Sequence, residues 1–430
     1  MIDINKISRI LHDKSFVRGS LFSIFSFLNK GLIFLLLLIL ANYITPAEYG
    51  YLNLFSTVIM VLMYFMAMSA EGYWCVAYFS EGSDGLKKTF TCIFFLTFVI
   101  SLISVGGIFL GGEWLEEKLN LQSPIMMCAV AICFFTVYNQ LLLDNYRLKE
   151  KVVTYGMLSC GAALLNFAVS IYLVKYCNLS WQGRVYAQLV CTALFGFAGL
   201  IYFIRKGFLT SNFLHYLKPL LLWSIPLIPH SASNFLRQGC DRYIINAYHS
   251  IDDVGLFSFA LTLSTIVTMI GVGFNQSNSV EIYKILGDNT IPNRQKLTML
   301  QQKRKLYTWI YTICAFVIVA ICYVAVPFIL PKYTGSLRYV PLLTLFGYLT
   351  CIYFLWINYL FFYKQTKNIM YVTFGSSVLH LLLSLILTRY SLLLTAALYA
   401  LTQYIVVLLI KKKAKQILTQ KLINNDETDD

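Results

Sequence analysis

The sequence contains few charged residues. Asp, Glu, Lys and Arg make up 13% of its 430 residues, whereas hydrophobic residues make up 58%. Soluble globular domains carry about 25% charged residues, so this chain falls outside their range. The mean hydropathy is +0.67. The composition predicts an integral membrane protein, and the short connections between its apolar stretches leave no room for a separate soluble catalytic domain.

Motifs of nucleotide and metal chemistry are also missing from the sequence. It contains no G-x-x-x-x-G-K-[ST] phosphate-binding loop, no H-E-x-x-H and no paired C-x-x-C. The 11 cysteines lie mostly inside apolar stretches, which indicates small buried side chains rather than a disulfide framework. We therefore expect no metal, no cofactor, no P-loop ATP hydrolysis and no enzymatic activity. A net charge of +14 is explained by membrane topology, so no nucleic-acid partner is expected.

Twelve apolar stretches are long enough to cross a bilayer as helices. Lipid offers no partner to an unpaired backbone group, and these continuous runs lack the alternation of a barrel strand. We therefore predict an all-α integral membrane protein with about twelve transmembrane helices. The predicted spans are 17–43, 51–70, 90–111, 124–143, 155–176, 185–202, 217–248, 254–274, 307–330, 340–363, 369–388 and 392–410.

The positive residues are distributed unevenly between these spans. The N-terminal arm, the even-numbered connections and the tail carry 25 of the 34 Lys and Arg residues, and the odd-numbered connections carry 8. Positive residues concentrate in cytoplasmic loops. This distribution predicts a multi-pass membrane protein with both termini in the cytoplasm.

A weak internal repeat relates the two halves of the chain. An offset of 205 residues places Asn29 on Asn234, Tyr43 on Tyr248 and Gly50 on Gly255, and it maps the first span onto the seventh. Six spans in each half give parallel repeats, which build two bundles around a central cavity in transporters. We predict an N-terminal six-helix lobe at 1–206, a C-terminal six-helix lobe at 207–410 and a cytoplasmic tail at 411–430.

A few charges and polar groups lie inside the predicted spans. A charge at the bilayer centre costs roughly 2.5 to 3.5 kcal/mol on insertion scales, so it usually faces a wet cavity or a partner. Lys30 lies at the middle of the first span. The seventh span carries a polar stripe with helical spacing, and Arg237 and Asp241, four residues apart, can pair on one face. Candidate cavity residues that bind substrate are Lys30, Asn234, Arg237, Asp241 and Arg242.

Each of these residues also has a structural interpretation. Lys30 could anchor at an interface, and Asp241 and Arg242 could form a structural pair near the end of their span. His230 is a candidate site for a coupling proton, although a lone histidine is more often a packing residue, and His380 has less support. Three prolines, Pro219, Pro226 and Pro229, predict a bend in the seventh span.

The two segments that the 205-residue offset aligns, near the start of each half, resemble a known family. Asn29-Lys30-Gly31 and the turn 45–50 are similar to the N-terminal signature of bacterial polysaccharide exporters, and residues 224–231 with Asp241-Arg242-Tyr243 are similar to the start of their second half. The chain thus resembles Wzx-type O-antigen flippases of the multidrug/oligosaccharidyl-lipid/polysaccharide (MOP) exporter superfamily, whose fold is MATE-like. The resemblance covers essentially the whole chain and does not identify the sugar.

The resemblance implies a function. Such flippases move an undecaprenyl-diphosphate-linked oligosaccharide, an O-antigen or capsule repeat unit, from the cytoplasmic to the periplasmic leaflet by alternating access, with an ion or proton gradient as the energy source. Expected partners are this substrate, membrane lipids and other polysaccharide-assembly membrane proteins. Two alternatives remain: a drug or metabolite exporter of the same fold, and a membrane O-antigen polymerase or glycosyltransferase, which usually has a large outer loop that this chain lacks.

Overall fold

A computed structural model of the chain describes residues 14–67, 73–74, 77–78, 82–211, 213–225, 228, 232–233, 235–288, 290–363 and 365–422. These residues are predominantly helical, and no strand occurs among them. The chain forms two compact units, Met1–Ala232 and Ser233–Asp430. The lobe boundary expected at residue 206 and the separate tail stay predictions.

The first unit is built from seven long helices in its described part. Helix α5 (Val152–Ile171) continues as a π-helical turn, Tyr172–Tyr176. The helices are α1 (Lys14–Ala41), α2 (Pro46–Ala67), α3 (Gly82–Leu119), α4 (Ser123–Leu148), α5 (Val152–Ile171), α6 (Ser180–Arg205) and α7 (Leu214–Ser224).

The second unit begins with a π-helical turn, Phe235–Gly239, and continues through six α-helices in its described part. A 3₁₀ segment, Pro331–Arg338, joins two of them. The helices are α8 (Cys240–Tyr248), α9 (Ile251–Gly287), α10 (Asn293–Ile329), α11 (Val340–Phe362), α12 (Thr366–Leu387) and α13 (Leu392–Leu422).

The membrane spans agree closely with the sequence-based prediction. Ten helices of the described part are long and apolar enough to cross a membrane, and they coincide with every predicted span except the first and the seventh. The first predicted span, 17–43, coincides with α1 except for its last two residues, because α1 ends at Ala41. The predicted all-α membrane fold is confirmed.

The structure describes the seventh predicted span, 217–248, only in part, so the bend predicted from its prolines stays a prediction. Helix α7 ends at Ser224, although Ile225, which precedes Pro226, keeps helical backbone angles (φ −55°, ψ −44°). Residues 228 and 232–233 are helical, and the π turn Phe235–Gly239 leads into α8. Pro226 and Pro229 lie outside the described residues, whereas Pro219 lies inside α7.

The internal repeat reappears as matching helix starts. At the start of α2, the Thr45 hydroxyl accepts from the Glu48 N–H (3.3 Å), and Glu48 accepts from the Thr45 N–H (2.7 Å). The start of α9, 205 residues later in sequence, repeats this capping box with Ser250 and Asp253. Each box satisfies two backbone donors that the helix itself cannot satisfy. The offset seen in the sequence therefore marks a shared local structure.

Close backbone packing joins α4 and α6 in the first unit. Gly196 of α6 lies against the Phe135 carbonyl of α4, where a Cβ atom would clash with the backbone. Gly199 approaches the Tyr138 carbonyl in the same way. Small residues allow membrane helices to approach closely, where van der Waals packing replaces the hydrophobic effect that lipid does not supply.

The last helix is longer than the sequence indicated. Our last span ends at residue 410, but α13 continues to Leu422. Ala414, Leu418 and Leu422 are buried at four-residue spacing, which continues the buried stripe beyond Ile410. The lysines between these positions conceal the stripe in a hydropathy profile. Residues 423–430 lie outside the described residues.

Candidate functional site

The candidate site lies in the second unit, where the end of the π turn and α8 meet α12 and α13. Its centre is Asp241, which is 1% exposed. His380 Nε2 lies 2.8 Å from Asp241 Oδ2, and the Ser384 hydroxyl donates to Asp241 Oδ1 at 2.5 Å. Both carboxylate oxygens therefore have donors on α12, and these contacts stabilise a group that would be costly to bury alone.

His380 connects this carboxylate to α13. Its ring is fully buried, and its Nδ1 lies 3.1 Å from the Thr402 hydroxyl oxygen. The Tyr399 ring meets the imidazole edge to face, with centroids 4.7 Å apart. The ring is thus fixed on two sides, and its orientation toward Asp241 is set by the packing of α12 on α13.

Arg237 lies one turn before Asp241, on the π-helical segment. Its Nη1 donates to Gln403 Oε1 at 2.6 Å, and its Nη2 reaches the Ser376 hydroxyl at 3.5 Å. Both partners are neutral, and its buried Nε–H has no partner among the described residues. Within the described part of the chain, no carboxylate lies within 4.0 Å of this guanidinium, so its charge has no direct counter-ion.

A row of hydroxyls extends the site along α12. The Ser384 hydroxyl oxygen lies 3.1 Å from the Thr388 hydroxyl oxygen. The Thr388 hydroxyl oxygen accepts a hydrogen bond from the Thr395 hydroxyl at 2.9 Å. The His249 Nε2–H donates to the Thr388 carbonyl at 2.6 Å. Hydrogen-bonding groups therefore continue from Asp241 to the turn between α12 and α13.

A second buried cation lies in the first unit. Arg184 of α6 is 7% exposed, and its Nη1 donates to Asn166 Oδ1 (2.6 Å) and reaches Ser170 Oγ (3.2 Å) on α5. Arg184 directly precedes the predicted span 185–202, a position typical of an interfacial residue, so the sequence does not single it out.

The predicted site residues differ in how much of their surroundings the structure describes. The Lys30 backbone lies in α1, but its side chain is outside the described part, and His230 and Asn234 lie outside the described residues. Arg237 and Asp241 lie close in the chain without forming the ion pair that their spacing allowed, because Asp241 is bound by His380 and Ser384 instead. Arg242 is half-buried on the same helix. Their roles as substrate ligands stay predictions.

Sequence reasoning missed the α12 and α13 side of the site. Ser376, His380, Ser384 and Thr388 are spaced by four residues, which places them on one face of a helix. This polar stripe in an apolar span was the available signal, and it parallels the stripe of the seventh span. Among the described residues, no group of three or more His, Cys, Asp or Glu residues could hold a metal ion.

Comparison with known structures supports the fold. The inward closed conformation of the lipid II flippase MurJ is 16% identical, covers 92% of this chain and 87% of its own, and gives a TM-score of 0.73. An inward-facing multidrug resistance MATE family transporter of the MOP superfamily is 12% identical, covers 89% of this chain and 94% of its own, and gives a TM-score of 0.71. At these identities the likeness shows a shared MATE-like fold.

Comparison of sequences identifies the family. The Lsg locus putative protein 1 of Haemophilus influenzae is 24% identical over 369 residues, which cover 82% of this chain and 86% of the relative. The family model described as polysaccharide biosynthesis protein matches residues 17–280, more than half of the chain. With the MOP-type fold, these matches confirm the resemblance seen in the two spans, and the chain belongs to the polysaccharide biosynthesis protein family.

Proposed function

We propose that the protein is a flippase for an undecaprenyl-diphosphate-linked oligosaccharide, an O-antigen or capsule repeat unit. It carries this substrate from the cytoplasmic to the periplasmic leaflet of a bacterial inner membrane by alternating access. Family membership and the fold shared with a lipid II flippase support a transporter of lipid-linked polysaccharide. Transport of this kind breaks no covalent bond, so the protein acts as a transporter and not as an enzyme.

The observation that carries the proposal is the buried guanidinium of Arg237. Gln403 and Ser376 hold it without neutralising it. A diphosphate needs cationic partners when it leaves water, and arginine binds phosphate oxygens through two parallel N–H donors. A sugar chain without a diphosphate would not require such a charge in an apolar helix bundle.

The other predicted residues take different roles in this proposal. Lys30 and Asn234 stay candidate substrate ligands predicted from the sequence. Asp241 is buried with both oxygens bound, so we assign it to the support of His380 rather than to direct contact with substrate. Arg242, half-buried on the same helix, contributes to the positive field.

The site residues can be tested by display of the surface polysaccharide. A strain without this chain is complemented with the wild type, Lys30→Ala, Arg237→Ala or Arg237→Lys. We expect both alanine variants to lose display, because the diphosphate loses a cation, and Arg237→Lys to retain part of it. The readout is the amount of surface polysaccharide on immunoblots, normalised to the protein in the membrane.

Arg294→Ala is the matched control, because it removes an exposed arginine from the same unit. It should display polysaccharide as the wild type does. Full display by both Lys30→Ala and Arg237→Ala would contradict the cationic site. A deletion strain with altered drug sensitivity and an unchanged surface would favour the exporter alternative.

A further inference from the structure

We propose that Arg304 and Lys411, which both lie over the ring of Trp356, form a site that binds the headgroup of an anionic phospholipid. The site is built by α10, α11 and α13 of the second unit, which pack against one another. It shares no residue with the contacts of Arg237 and Asp241. The proposal is independent of the proposed function, because the lipid stays in its own leaflet and is not transported.

Two aromatic side chains of α11 fix the guanidinium of Arg304. Its central carbon lies 4.5 Å from the centroid of the Trp356 ring and 5.6 Å from that of the Tyr359 ring. Its Nη1 donates to the Tyr359 hydroxyl at 2.9 Å. A guanidinium that stacks on an aromatic face keeps its N–H donors at its edge. The contacts with α11 therefore hold the charge in place and leave donors for a phosphate.

Lys411 brings a second positive charge to the same ring. Its Nζ lies 5.7 Å from the Trp356 centroid. Lys411 belongs to α13 and Arg304 to α10, so two helices direct a cation to one indole ring. Trp356 itself is only 9% exposed. Two like charges near one ring repel each other, and an anion bound beside them relieves that repulsion.

These two charges have no counter-ion in the described part of the chain. No carboxylate there lies within 4.0 Å of the Arg304 or Lys411 side chain. The neighbouring acid, Glu281 of α9, already forms an ion pair with Lys303. The charge over Trp356 is therefore free to attract an anionic ligand.

Apolar surface continues from the basic residues along the same helices. On α13, Tyr404 and Leu408 are exposed and share a helix face with Lys411. On α10, the exposed Trp309 lies one turn from the exposed Lys305. An apolar stripe that ends in cations fits an amphiphile with an acyl chain and an anionic headgroup. A free phosphate would make no use of the stripe.

The predicted topology places this site in the cytoplasmic leaflet. Arg304 lies in the connection between the eighth and ninth predicted spans, and Lys411 begins the tail. Both segments carry the positive residues that mark the cytoplasmic side. Basic pockets between spans on this side bind the headgroups of anionic lipids. Because Tyr359 holds Arg304 at one position, we expect a defined site rather than a diffuse attraction.

Native mass spectrometry of the purified full chain tests the site. It measures the affinities for phosphatidylglycerol and phosphatidylcholine with the same acyl chains, which differ in headgroup charge. Each basic residue near a membrane surface contributes about fivefold in affinity for an anionic lipid, so we expect the wild type to prefer phosphatidylglycerol by about 25-fold. The double variant Arg304→Gln/Lys411→Gln should lose this preference and bind phosphatidylcholine as the wild type does.

Tyr359→Phe separates position from charge. It keeps both cations but removes the hydrogen bond that holds Arg304, so the preference should fall to a value between those of the wild type and the double variant. Thermal unfolding shows whether each variant is folded. If the double variant does not fold, Lys411→Gln alone should lower the preference by about fivefold.

Arg294→Gln/Lys412→Gln is the matched control, because it removes two exposed cations from the same two helices. It should retain the wild-type preference. Equal affinities of the wild type for the two lipids would overturn the proposal, and so would equal losses in the control and in Arg304→Gln/Lys411→Gln. Displacement of phosphatidylglycerol by a lower concentration of undecaprenyl diphosphate, abolished in Arg304→Gln/Lys411→Gln, would also overturn it, because the site would then bind the lipid carrier.

Discussion

At the residue scale, the central feature is that two neighbouring charged residues have different hydrogen-bond partners and do not pair with each other. Asp241 is fully bound by His380 and Ser384, and Arg237, one turn earlier, contacts neutral groups. A simple Arg–Asp pair would cancel both charges and leave nothing for a ligand. The observed contacts leave the guanidinium with neutral partners and give both carboxylate oxygens a hydrogen-bond donor on α12.

Replacement of Ser384 by alanine tests how much a hydrogen-bond donor to Asp241 contributes to the stability of the protein. The substitution removes the 2.5 Å hydrogen bond to a buried carboxylate oxygen, so we expect a loss of about 1 to 3 kcal/mol in the free energy of unfolding. Thermal unfolding in detergent measures the change.

Ser377→Ala is the matched control. Ser377 is also buried on α12, but its hydroxyl donates only to the Thr373 carbonyl within its own helix. Its replacement should change stability by less than about 1 kcal/mol. Equal stability losses in the two variants would mean that the Asp241 contact has no special weight.

The residues of the site could be predicted only in part from the sequence. Arg237 and Asp241 were visible because charges are rare in apolar spans. His380 received little weight because its partner lies 139 positions away in the chain, on another helix. Spacing shows which residues share a helix face, but it does not show which helix that face meets.

At the scale of elements, apolar length predicted most of the structure, and ten of the twelve predicted spans coincide with helices of the described part. The π-helical turn at Phe235–Gly239 was not predicted, because an extra residue in a helical turn leaves no mark in hydropathy. The extension of α13 was missed because lysines separate Ala414, Leu418 and Leu422.

The contact between α4 and α6 gives a prediction for an element. In Gly196→Ala, the new methyl group meets the Phe135 backbone, which cannot rotate away as a side chain could. We expect a loss of about 1 to 3 kcal/mol in unfolding free energy from overpacking. The yield and thermal midpoint of the purified variant report it.

Gly161→Ala in α5 serves as the comparison, because no atom lies within 4 Å of a Cβ placed there. It should be neutral or slightly stabilising, since alanine favours helix more than glycine does. Similar losses from both substitutions would show that close packing on α4 is not what requires glycine.

At the scale of the whole molecule, two units repeat one helix-starting motif. The capping boxes at Thr45 and Ser250 lie 205 residues apart and begin equivalent spans. This repeat, the family match over 17–280 and the fold describe a MATE-like membrane protein of the polysaccharide biosynthesis protein family. The fold does not identify the substrate, because a multidrug transporter and a lipid II flippase share it. The proposal of a diphosphate-containing substrate rests instead on the buried guanidinium of Arg237.

Leaflet-resolved labelling of the lipid-linked oligosaccharide tests the central claim most directly. In cells that lack this chain, we predict that the undecaprenyl-diphosphate-linked repeat unit accumulates and stays protected from a membrane-impermeant sugar-binding probe added to the periplasmic side. Wild-type protein and Arg294→Ala should restore labelling, and Arg237→Ala should not. Normal labelling of the repeat unit in cells without the chain would contradict its assignment as the flippase.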